Sequence, residues 1–484
     1  MKYIFKKTGF IIIIFTLIIA CNKDDKLQTG TVNLLFSRDT VFFDTVFSGI
    51  GSDTRYFKVK NPYDLPVNIN KIYLEKGDES KFKININGIP ENYTENTIID
   101  AGDSIYVFVE VLINTDEDNI TEEDKIIFDT GENSQNVKLL AIGTDVHFLN
   151  DSLINSQTWI NDKPYLIYNS VAVAENQTLT IEEGTHIYSH KDSRFIIAGT
   201  LKVNGTEENP VIFEADRLNG HSSIFYDIFA EDSTDNYYDV AGQWSGIWLT
   251  KLSKDNEINN AIIKNAITGI TVDSSQNSNP QLSIHNSIIE HHSSTGIFAR
   301  ISSISATNCL IADCGYYNIL LTRGGNYEFY HCTVSNYWKG IRNTPAVYIN
   351  NYFQYDGTVY LYDLEKAYFG NCIIWGNTET ETAADVYTEG VSSDYMFDNC
   401  ILKIDPESNI NTNDPEHYSN ILLNTDPLFT DFYEYDFTLS ENSPAINKGN
   451  ISITNTYPAL LNFDLNNINR TNDAAPDLGC YEFQ

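Results

Sequence analysis

The chain has 484 residues, of which 42% are hydrophobic, 13% aromatic and 20% charged. This composition excludes a disordered chain, and the length exceeds that of one small domain. The formal net charge of −35 argues against a nucleic-acid partner, because binding to phosphates requires a basic surface. The same charge is compatible with cations such as Ca²⁺ as cofactors, although no residue pattern identifies a metal site.

The first 20 residues have the pattern of a secretion signal. Three lysines form a basic start, and the apolar run 10–19 is too short to span a bilayer. The run leads into Leu-Ile-Ile-Ala directly before Cys21. This arrangement resembles a bacterial lipoprotein signal, and the resemblance implies that the signal peptide 1–20 is removed and that Cys21 receives lipid.

The tether at 21–30 begins with Cys-Asn-Lys-Asp-Asp. A lysine followed by two acids behind the lipidated cysteine resembles the surface-export signal of Bacteroidota outer-membrane lipoproteins. The resemblance implies a chain anchored in the bilayer of the outer membrane through acylated Cys21 and displayed at the cell surface. Attachment to the periplasmic leaflet is the alternative, and both locations use the same stable, multiply acylated anchor.

Residues 31–148 alternate apolar and polar side chains in short segments separated by turn residues. About seven such strands in this length are typical of an immunoglobulin-like β-sandwich. The strand order, with Lys-Asn-Pro at 60–62 and a closing Ala-Ile-Gly segment at 141–143, is similar to that of Hydin-like and major-sperm-protein sandwiches. That resemblance implies a spacer or contact module. Residues 149–163 are predicted as a linker.

Residues 164–430 contain an internal repeat with a spacing that is often near 22 residues. In each repeat a corner residue is followed by a small residue and, two positions later, by Ile, Val or Leu. Short strands without a helical period indicate a parallel β-solenoid, whose coils stack about 4.8 Å apart. The corner residues are Asn260, Asn286, Asn308, His331, Asn371 and Asn399.

Three expectations follow from the repeat. The corner Asn should adopt left-handed φ and bond through its amide to the next Asn. A second register of Gly-Ile pairs continues to Gly340-Ile341, which predicts an inward Ile341. The 40-residue step between His331 and Asn371 predicts an extra coil near Asn350, with one irregular coil carrying inserted loops as the alternative.

The opening segments at 171–185, 197–206 and 210–213 resemble the first coils of right-handed parallel β-helix proteins of the pectin-lyase-like superfamily. The tail at 431–484 resembles the terminal segment of bacterial surface β-helix proteins. The predicted fold class is therefore all-β: an N-terminal immunoglobulin-like β-sandwich, then a right-handed parallel β-helix over 164–430, then a C-terminal capping segment. The superfamily hosts lyases, hydrolases, epimerases and non-catalytic adhesins, so the fold alone leaves the activity open.

Four cysteines share the inward position after the corner residue. They are predicted to be buried thiols that act as small hydrophobic side chains, while a Cys309–Cys332 disulfide stays open as an alternative. Their spacing is not that of a zinc site. The four are Cys309, Cys332, Cys372 and Cys400.

Basic residues are scarce on the coils, and Lys339, Arg342 and Arg323 are the candidate catalytic residues. Polysaccharide lyases abstract the proton beside a uronate carboxylate with a Lys or Arg, while a cation neutralises the carboxylate. Arg300 lies one coil before Arg323 and could join them at one edge. Solvated charges at coil corners are the alternative. The aspartate pair of polygalacturonase-type hydrolases and the Ca²⁺ cluster of pectate lyases are both missing from the repeats.

Aromatic residues crowd the coils between 316 and 375. Outward Tyr and Trp rings offer surfaces on which sugars stack, whereas inward rings would form an internal ladder. The candidate ligand-binding residues are Trp338, Tyr337, Tyr327 and Tyr352. The function expected is non-catalytic glycan binding or adhesion at the cell surface. A polysaccharide lyase or other glycan-degrading enzyme is the first alternative, and a structural spacer is the second.

Overall fold

The computed structural model describes most of the chain in two compact units, one ending at Asp145 and the other beginning at Val146. The predicted signal peptide and Cys21 lie outside the described residues. Within the part described, no helix is both long and apolar enough to cross a membrane. The described residues are 26–114, 120–217, 240–274, 280–472 and 474–484.

The first unit consists of two β-sheets that enclose a hydrophobic core. A four-stranded sheet has the order β1-β3-β7-β5, and a five-stranded sheet has the order β2-β9-β8-β4-β6. Alternate residues of each strand point into the core, as in β7, where Ile105, Val107 and Val109 are buried. The strands are β1 (Leu35–Phe36), β2 (Thr40–Phe47), β3 (Arg55–Lys60), β4 (Val67–Leu74), β5 (Phe82–Ile86), β6 (Tyr93–Ile99), β7 (Ser104–Val111), β8 (Ile120–Asp129) and β9 (Ser134–Thr144), with a 3₁₀ turn at Gly77–Glu79.

The second unit is a right-handed β-helix in which 26 of the described strands form one continuous parallel sheet. Its strands are β10 (His147–Ile154), β11 (Gln157–Trp159), β12 (Tyr165–Val173), β13 (Thr178–Glu182), β14 (His186–Ser189), β15 (Arg194–Ile197), β16 (Thr200–Asn204), β17 (Val211–Ala215), β18 (Gly246–Leu249), β19 (Asn256–Asn259), β20 (Ala261–Lys264), β21 (Thr268–Val272), β22 (Leu282–His285), β23 (Ile288–His292), β24 (Thr295–Thr307), β25 (Leu310–Cys314), β26 (Tyr317–Tyr330), β27 (Thr333–Asn336), β28 (Val347–Asn350), β31 (Leu364–Gly370), β32 (Ile373–Gly376), β33 (Thr382–Asp385), β34 (Ser393–Asp398), β35 (Ile401–Leu402), β36 (Tyr418–Ser419) and β37 (Leu422–Leu423).

The coils stack into three faces. Sheet 1 contains β15, β18, β21, β28, β33 and the first parts of β24 and β26. Sheet 2 contains β13, β16, β19, β22, β31, β34 and the last parts of β24 and β26. Sheet 3 contains β14, β17, β20, β23, β25, β27, β32 and β35. The core lies between the three sheets.

The corner between sheets 2 and 3 has the predicted left-handed backbone. Values of φ lie between 47° and 55° at the six corner residues, including His331, where Asn is tolerated better than most residues. The predicted amide contacts form at two steps. Asn308 Nδ2 donates to Asn286 Oδ1 at 3.1 Å, and Asn371 Nδ2 lies 2.9 Å from His331 Nε2.

The four ladder cysteines face the core and are free thiols. Their sulfur atoms lie near backbone carbonyls of the same or the preceding coil, as in Cys372 Sγ to Phe329 O at 3.5 Å. The Cys309–Cys332 disulfide that the sequence left open does not form. Burial raises the pKa of the Cys309 and Cys332 thiols well above the usual value, so these thiols are poor nucleophiles.

Two sequence expectations about the repeat differ from the structure. Ile341 is 93% exposed, because 337–346 is an irregular loop and Val347 takes the inward place opposite Ile319. The extra coil near Asn350 is absent, since Thr333 pairs directly with Ile373 across the long step. The additional residues form this loop and an antiparallel hairpin of β29 (Tyr352–Tyr355) and β30 (Thr358–Leu361).

Residues 149–163, expected as a linker, instead contain most of β10 and all of β11. Both strands pair in parallel with the following coil, for example Leu149 with Ile167 and Trp159 with Ile181. The buried Trp159 stacks on Tyr165 with ring centroids 4.3 Å apart. The β-helix therefore begins before the first repeat that sequence periodicity reveals.

The C-terminal segment covers the outer face of sheet 3. Leu310, Ile373 and Ile401 point away from the β-helix core and pack with side chains of this segment such as Phe437 and Leu478. This packing explains why outward positions of sheet 3 are apolar, because the C-terminal segment buries them under a second layer. Its elements are β38 (Phe429–Asp431), a 3₁₀ turn (Phe432–Glu434), β39 (Asp436–Leu439), α1 (Ile451–Thr454) and α2 (Pro458–Leu461).

Asn308 joins the corner ladder to the C-terminal segment. Its Nδ2 also donates to Leu460 O and Phe463 O, each at 2.8 Å, and its Oδ1 accepts from buried Arg470 at 3.0 Å.

Asn308→Ala should lower the free energy of unfolding by about 3 kcal/mol, because several buried groups lose partners. Urea denaturation measures this loss. Asn260→Ala is the matched control with similar φ, and an equal loss in both variants would contradict the role of these contacts.

Candidate functional site

Arg342 lies in a buried ion pair instead of an open site. Its guanidinium donates to both carboxylate oxygens of Glu381, at 2.9 and 2.6 Å, and the two side chains are 1% and 0% exposed. Glu381 also accepts from the backbone of Ala346 at 2.9 Å. The pair therefore holds the irregular loop 337–346 against the start of β33, and its charges are not presented to a ligand.

Tyr337 and Lys339, on either side of Trp338 in the sequence, lie beside the C-terminal segment. The half-buried Tyr337 ring stacks on Phe432 with centroids 4.0 Å apart. Exposed Lys339 has its Nζ 5.4 Å from the Tyr435 ring centre. Trp338 is partly exposed, while the Tyr337 and Lys339 side chains belong to the contact between the loop and the C-terminal segment.

The other two aromatic candidates also differ from expectation. Tyr327 is fully buried, and its hydroxyl donates to Gly324 O at 2.8 Å, so it offers no surface to a sugar. Tyr352 is half-buried at the start of the β29–β30 hairpin and donates to Asp385 Oδ2 at 2.6 Å. Tyr327 therefore contributes to core packing, and Tyr352 anchors the base of the hairpin.

Arg323 is the sequence candidate that lines an open groove. The groove has a volume of about 460 Å³ and runs over the outer face of sheet 1. A smaller depression of about 320 Å³ shares two of its residues, Trp248 and Arg300, and extends it toward Arg194 and Phe298. We call the two together the sheet 1 groove, and its main side chains are Arg194, Trp248, Lys251, Asp273, Phe298, Arg300 and Arg323.

The alternation of sheet 1 places these side chains on its outer face. Residues such as Ile247 and Ile297 point into the core, so the next residues along each strand point outward. Trp248 aligns with Thr271 and Thr271 with Phe298 on successive coils. At the start of β18, Gly246 is required, because an added Cβ would lie 1.7 Å from the Thr268 carbonyl oxygen.

Asp273 organises the floor of the groove. It accepts a hydrogen bond from Trp248 Nε1 at 2.8 Å and forms an ion pair with Arg300. The Arg300 guanidinium lies 5.5 Å from the Phe298 ring centre, and that of Arg194 lies 5.6 Å from the Trp248 ring. Aromatic surfaces are therefore held beside fixed cations.

The groove is locally basic on an acidic chain. Four cationic side chains surround one carboxylate, that of Asp273. In the described part of the chain neither Lys251 nor Arg323 forms an ion pair, and Lys251 is exposed. A basic concavity of this kind attracts anions and raises their local concentration.

Strained backbone lies at the edge of the groove. Ile301 and Arg323 have φ of 48° and 60°, where the strand leaves sheet 1 for sheet 2. A β-branched residue rarely adopts this conformation, and such positions cluster at ligand sites. The Arg323 backbone N–H donates to Asn350 Oδ1 at 3.0 Å, which fixes the strained residue in place.

Sequence reasoning missed Arg194, Trp248, Lys251 and Asp273. One signal was present, because Asp273 and Arg300 each lie four residues after the glycine of a Gly-Ile pair and so share a coil position. Among the described residues, no group of three or more His, Cys, Asp or Glu side chains is placed to hold a metal ion. The groove chemistry is therefore that of guanidinium, ammonium and aromatic groups.

Residues 268–414 match the protein family described as right handed beta helix region, in agreement with the fold of the second unit. No curated protein matches the chain. Three solved structures resemble short stretches of it: a family 123 glycoside hydrolase from Clostridium perfringens (10% identity, 26% of this chain and 31% of that chain, TM-score 0.18), the E. coli chaperone DraB (12%, 24% and 57%, 0.17), and the Salmonella enterica SafA pilin in complex with the SafB chaperone (11%, 24% and 57%, 0.17). The chain thus spans less than two thirds of each.

Arg342→Ala should destabilise the chain by about 3–5 kcal/mol, because it leaves the buried Glu381 carboxylate without its charge partner. The change in the urea midpoint measures this effect. Lys339→Ala, three residues away and exposed, should change stability by less than about 0.5 kcal/mol. If Arg342→Ala unfolds at the wild-type midpoint, the structural role assigned to the ion pair is wrong.

Proposed function

We propose that the chain binds an acidic polysaccharide in the sheet 1 groove, without chemical turnover. The observation that carries the proposal is the placement of Arg194, Lys251, Arg300 and Arg323 around two aromatic rings on a chain whose net charge is −35. Guanidinium groups bind planar carboxylates through paired hydrogen bonds. Trp and Phe rings, here Trp248 and Phe298, present flat apolar surfaces to the faces of sugar rings.

The location of this activity is part of the same proposal. Acylated Cys21 would anchor the chain in the outer membrane, and the Lys-Asp-Asp tether behind it would direct the chain to the cell surface. Attachment to the periplasmic leaflet is the alternative location. We also propose that residues 31–148, which contain the two β-sheets of the first unit, form an immunoglobulin-like sandwich that serves as a spacer or contact module.

A polysaccharide lyase is the second candidate. Lys251 and Arg323 form no ion pair in the described part of the chain and line the groove, and a Lys or Arg can abstract the proton beside a uronate carboxylate. Proton removal and cleavage of the C4–O bond of the linkage leave a C=C bond in the uronate, and the departing oxygen takes a proton from water to become a hydroxyl group. A rise in ultraviolet absorbance during incubation with acidic polymers, lost in Lys251→Ala, would favour the lyase over simple binding.

Lys251→Ala should weaken binding of an acidic oligosaccharide about tenfold, or about 1.4 kcal/mol, because it removes a groove charge. Glycan-array screening identifies the acidic probe, and calorimetric titration measures affinity. Lys254→Ala is the matched control, since Lys254 is an exposed lysine on the same turn that does not line the groove. Equal effects of the two substitutions would argue for nonspecific attraction to the surface.

Cys21→Ser should move the chain from the membrane fraction to the soluble fraction, because the acyl chains provide the attachment. Immunoblotting of fractionated cells measures the distribution. Asn22→Ser is the control that retains Cys21, and it should stay with the membrane. A Cys21→Ser chain that remains membrane-bound would contradict the lipoprotein assignment. Protease treatment of intact cells that carry the wild-type chain distinguishes display at the cell surface from attachment to the periplasmic leaflet.

A further inference from the structure

The β29–β30 hairpin is attached to the part of β26 that carries Arg323. Asn350, just before the hairpin, accepts from the Arg323 backbone at 3.0 Å. Asp363, just after it, accepts from the Gly325 backbone at 2.9 Å. An isolated two-stranded hairpin is marginally stable, and these bonds fix both of its ends beside the sheet 1 groove.

One face of the hairpin is an exposed aromatic surface. The antiparallel register pairs Phe353 with Tyr360 and Tyr355 with Thr358, so these side chains share a face. Tyr355 is 67% exposed, Tyr360 48% and Phe353 37%. The Phe353 and Tyr355 rings are within 14° of parallel, with centroids 6.5 Å apart. Together they form an exposed aromatic platform, and aromatic rings of this kind offer stacking surfaces to sugars.

Arg323 belongs both to the groove and to this platform. Its guanidinium carbon lies 3.9 Å from the Phe353 ring centre, while the same side chain lines the groove. A cation over one ring of the platform would meet a carboxylate on a sugar bound there. Contiguous exposed apolar patches mark interaction surfaces or ligand-binding grooves, and this one lies beside the groove.

We infer that the hairpin platform is a second sugar subsite, and that one acidic oligosaccharide occupies the groove and the platform together. The inference rests on the proposed function. The more exposed Tyr355 would stack on a sugar ring, while Arg323, placed over the adjacent Phe353 ring, binds the carboxylate or sulfate of the same or the adjacent unit. Lys251 follows β18 and the platform follows β28, four coil steps or about 19 Å further along the axis. A ligand that reaches both must contain several sugar units.

The test compares short and long probes on the full chain carrying Cys21→Ser, which keeps it soluble. Two-unit and eight-unit oligomers of galacturonate, guluronate and sulfated galactose are titrated by calorimetry. Phe353→Ala/Tyr355→Ala should weaken binding of the eight-unit probe about tenfold and leave the two-unit probe unchanged. Gln354→Ala/Val359→Ala is the matched control on the opposite face of the hairpin, and it should bind both lengths like wild type. Tyr355→Ala is also tested as a single variant, because removal of a mostly exposed ring should not cause misfolding.

The outcomes separate the two proposals. If the platform variants bind the eight-unit probe like wild type while Lys251→Ala weakens it, the subsite is overturned and the groove proposal stands. An equal loss in the control variant overturns the subsite as well. If no probe binds the wild-type chain, both proposals fail. A concentration-dependent dimer that disappears with Phe353→Ala/Tyr355→Ala, without an effect on glycan binding, would identify the platform as a self-association surface instead.

Discussion

Each coil of the β-helix must turn from sheet 2 to sheet 3 at the same place, and the rest of the second unit depends on this turn. The corner residues adopt φ between 47° and 55°, a conformation open to Asn and costly for most side chains. Because the turn is repeated, the small residue after it always faces the core. The C-terminal segment then binds the same corners, through Asn308 and through Asn371, whose Nδ2 donates to Asn450 O at 3.1 Å.

Fixed coil register also explains how a chain with net charge −35 presents a basic groove. Outward residues of sheet 1 lie directly above one another, and cations at the two ends of its strands, such as Arg194 and Arg300, concentrate beside the outward rings. Asp273 orients Trp248 and Arg300 and removes only part of the positive charge. Groove and hairpin platform meet at Arg323, whose strained backbone holds it between the two surfaces.

The sequence predicts the β-helix because corner and core residues recur at fixed offsets. It does not predict the exposure of Ile341, since Gly340-Ile341 matches the repeat locally while pairing with β26 selects Val347. Arg342 is predicted from the sequence as a candidate catalytic residue because its ion-pair partner, Glu381, lies 39 residues away along the chain. Tyr327 looked like a ligand because aromatic content does not specify which face a ring occupies. These outcomes depend on tertiary contacts, whereas the shared offset of Asp273 and Arg300 was visible in the sequence.

Recognition of negative charge on a sugar polymer is the central claim, and a matched pair of ligands tests it most directly. The soluble chain is titrated with an acidic oligosaccharide and with the same oligosaccharide after reduction of its carboxyl groups to alcohols. The account predicts tight binding of the acidic form, weakened as salt screens the groove charges, and little binding of the reduced form. Equal affinity for both forms, or affinity for the acidic form that is independent of salt, would contradict it.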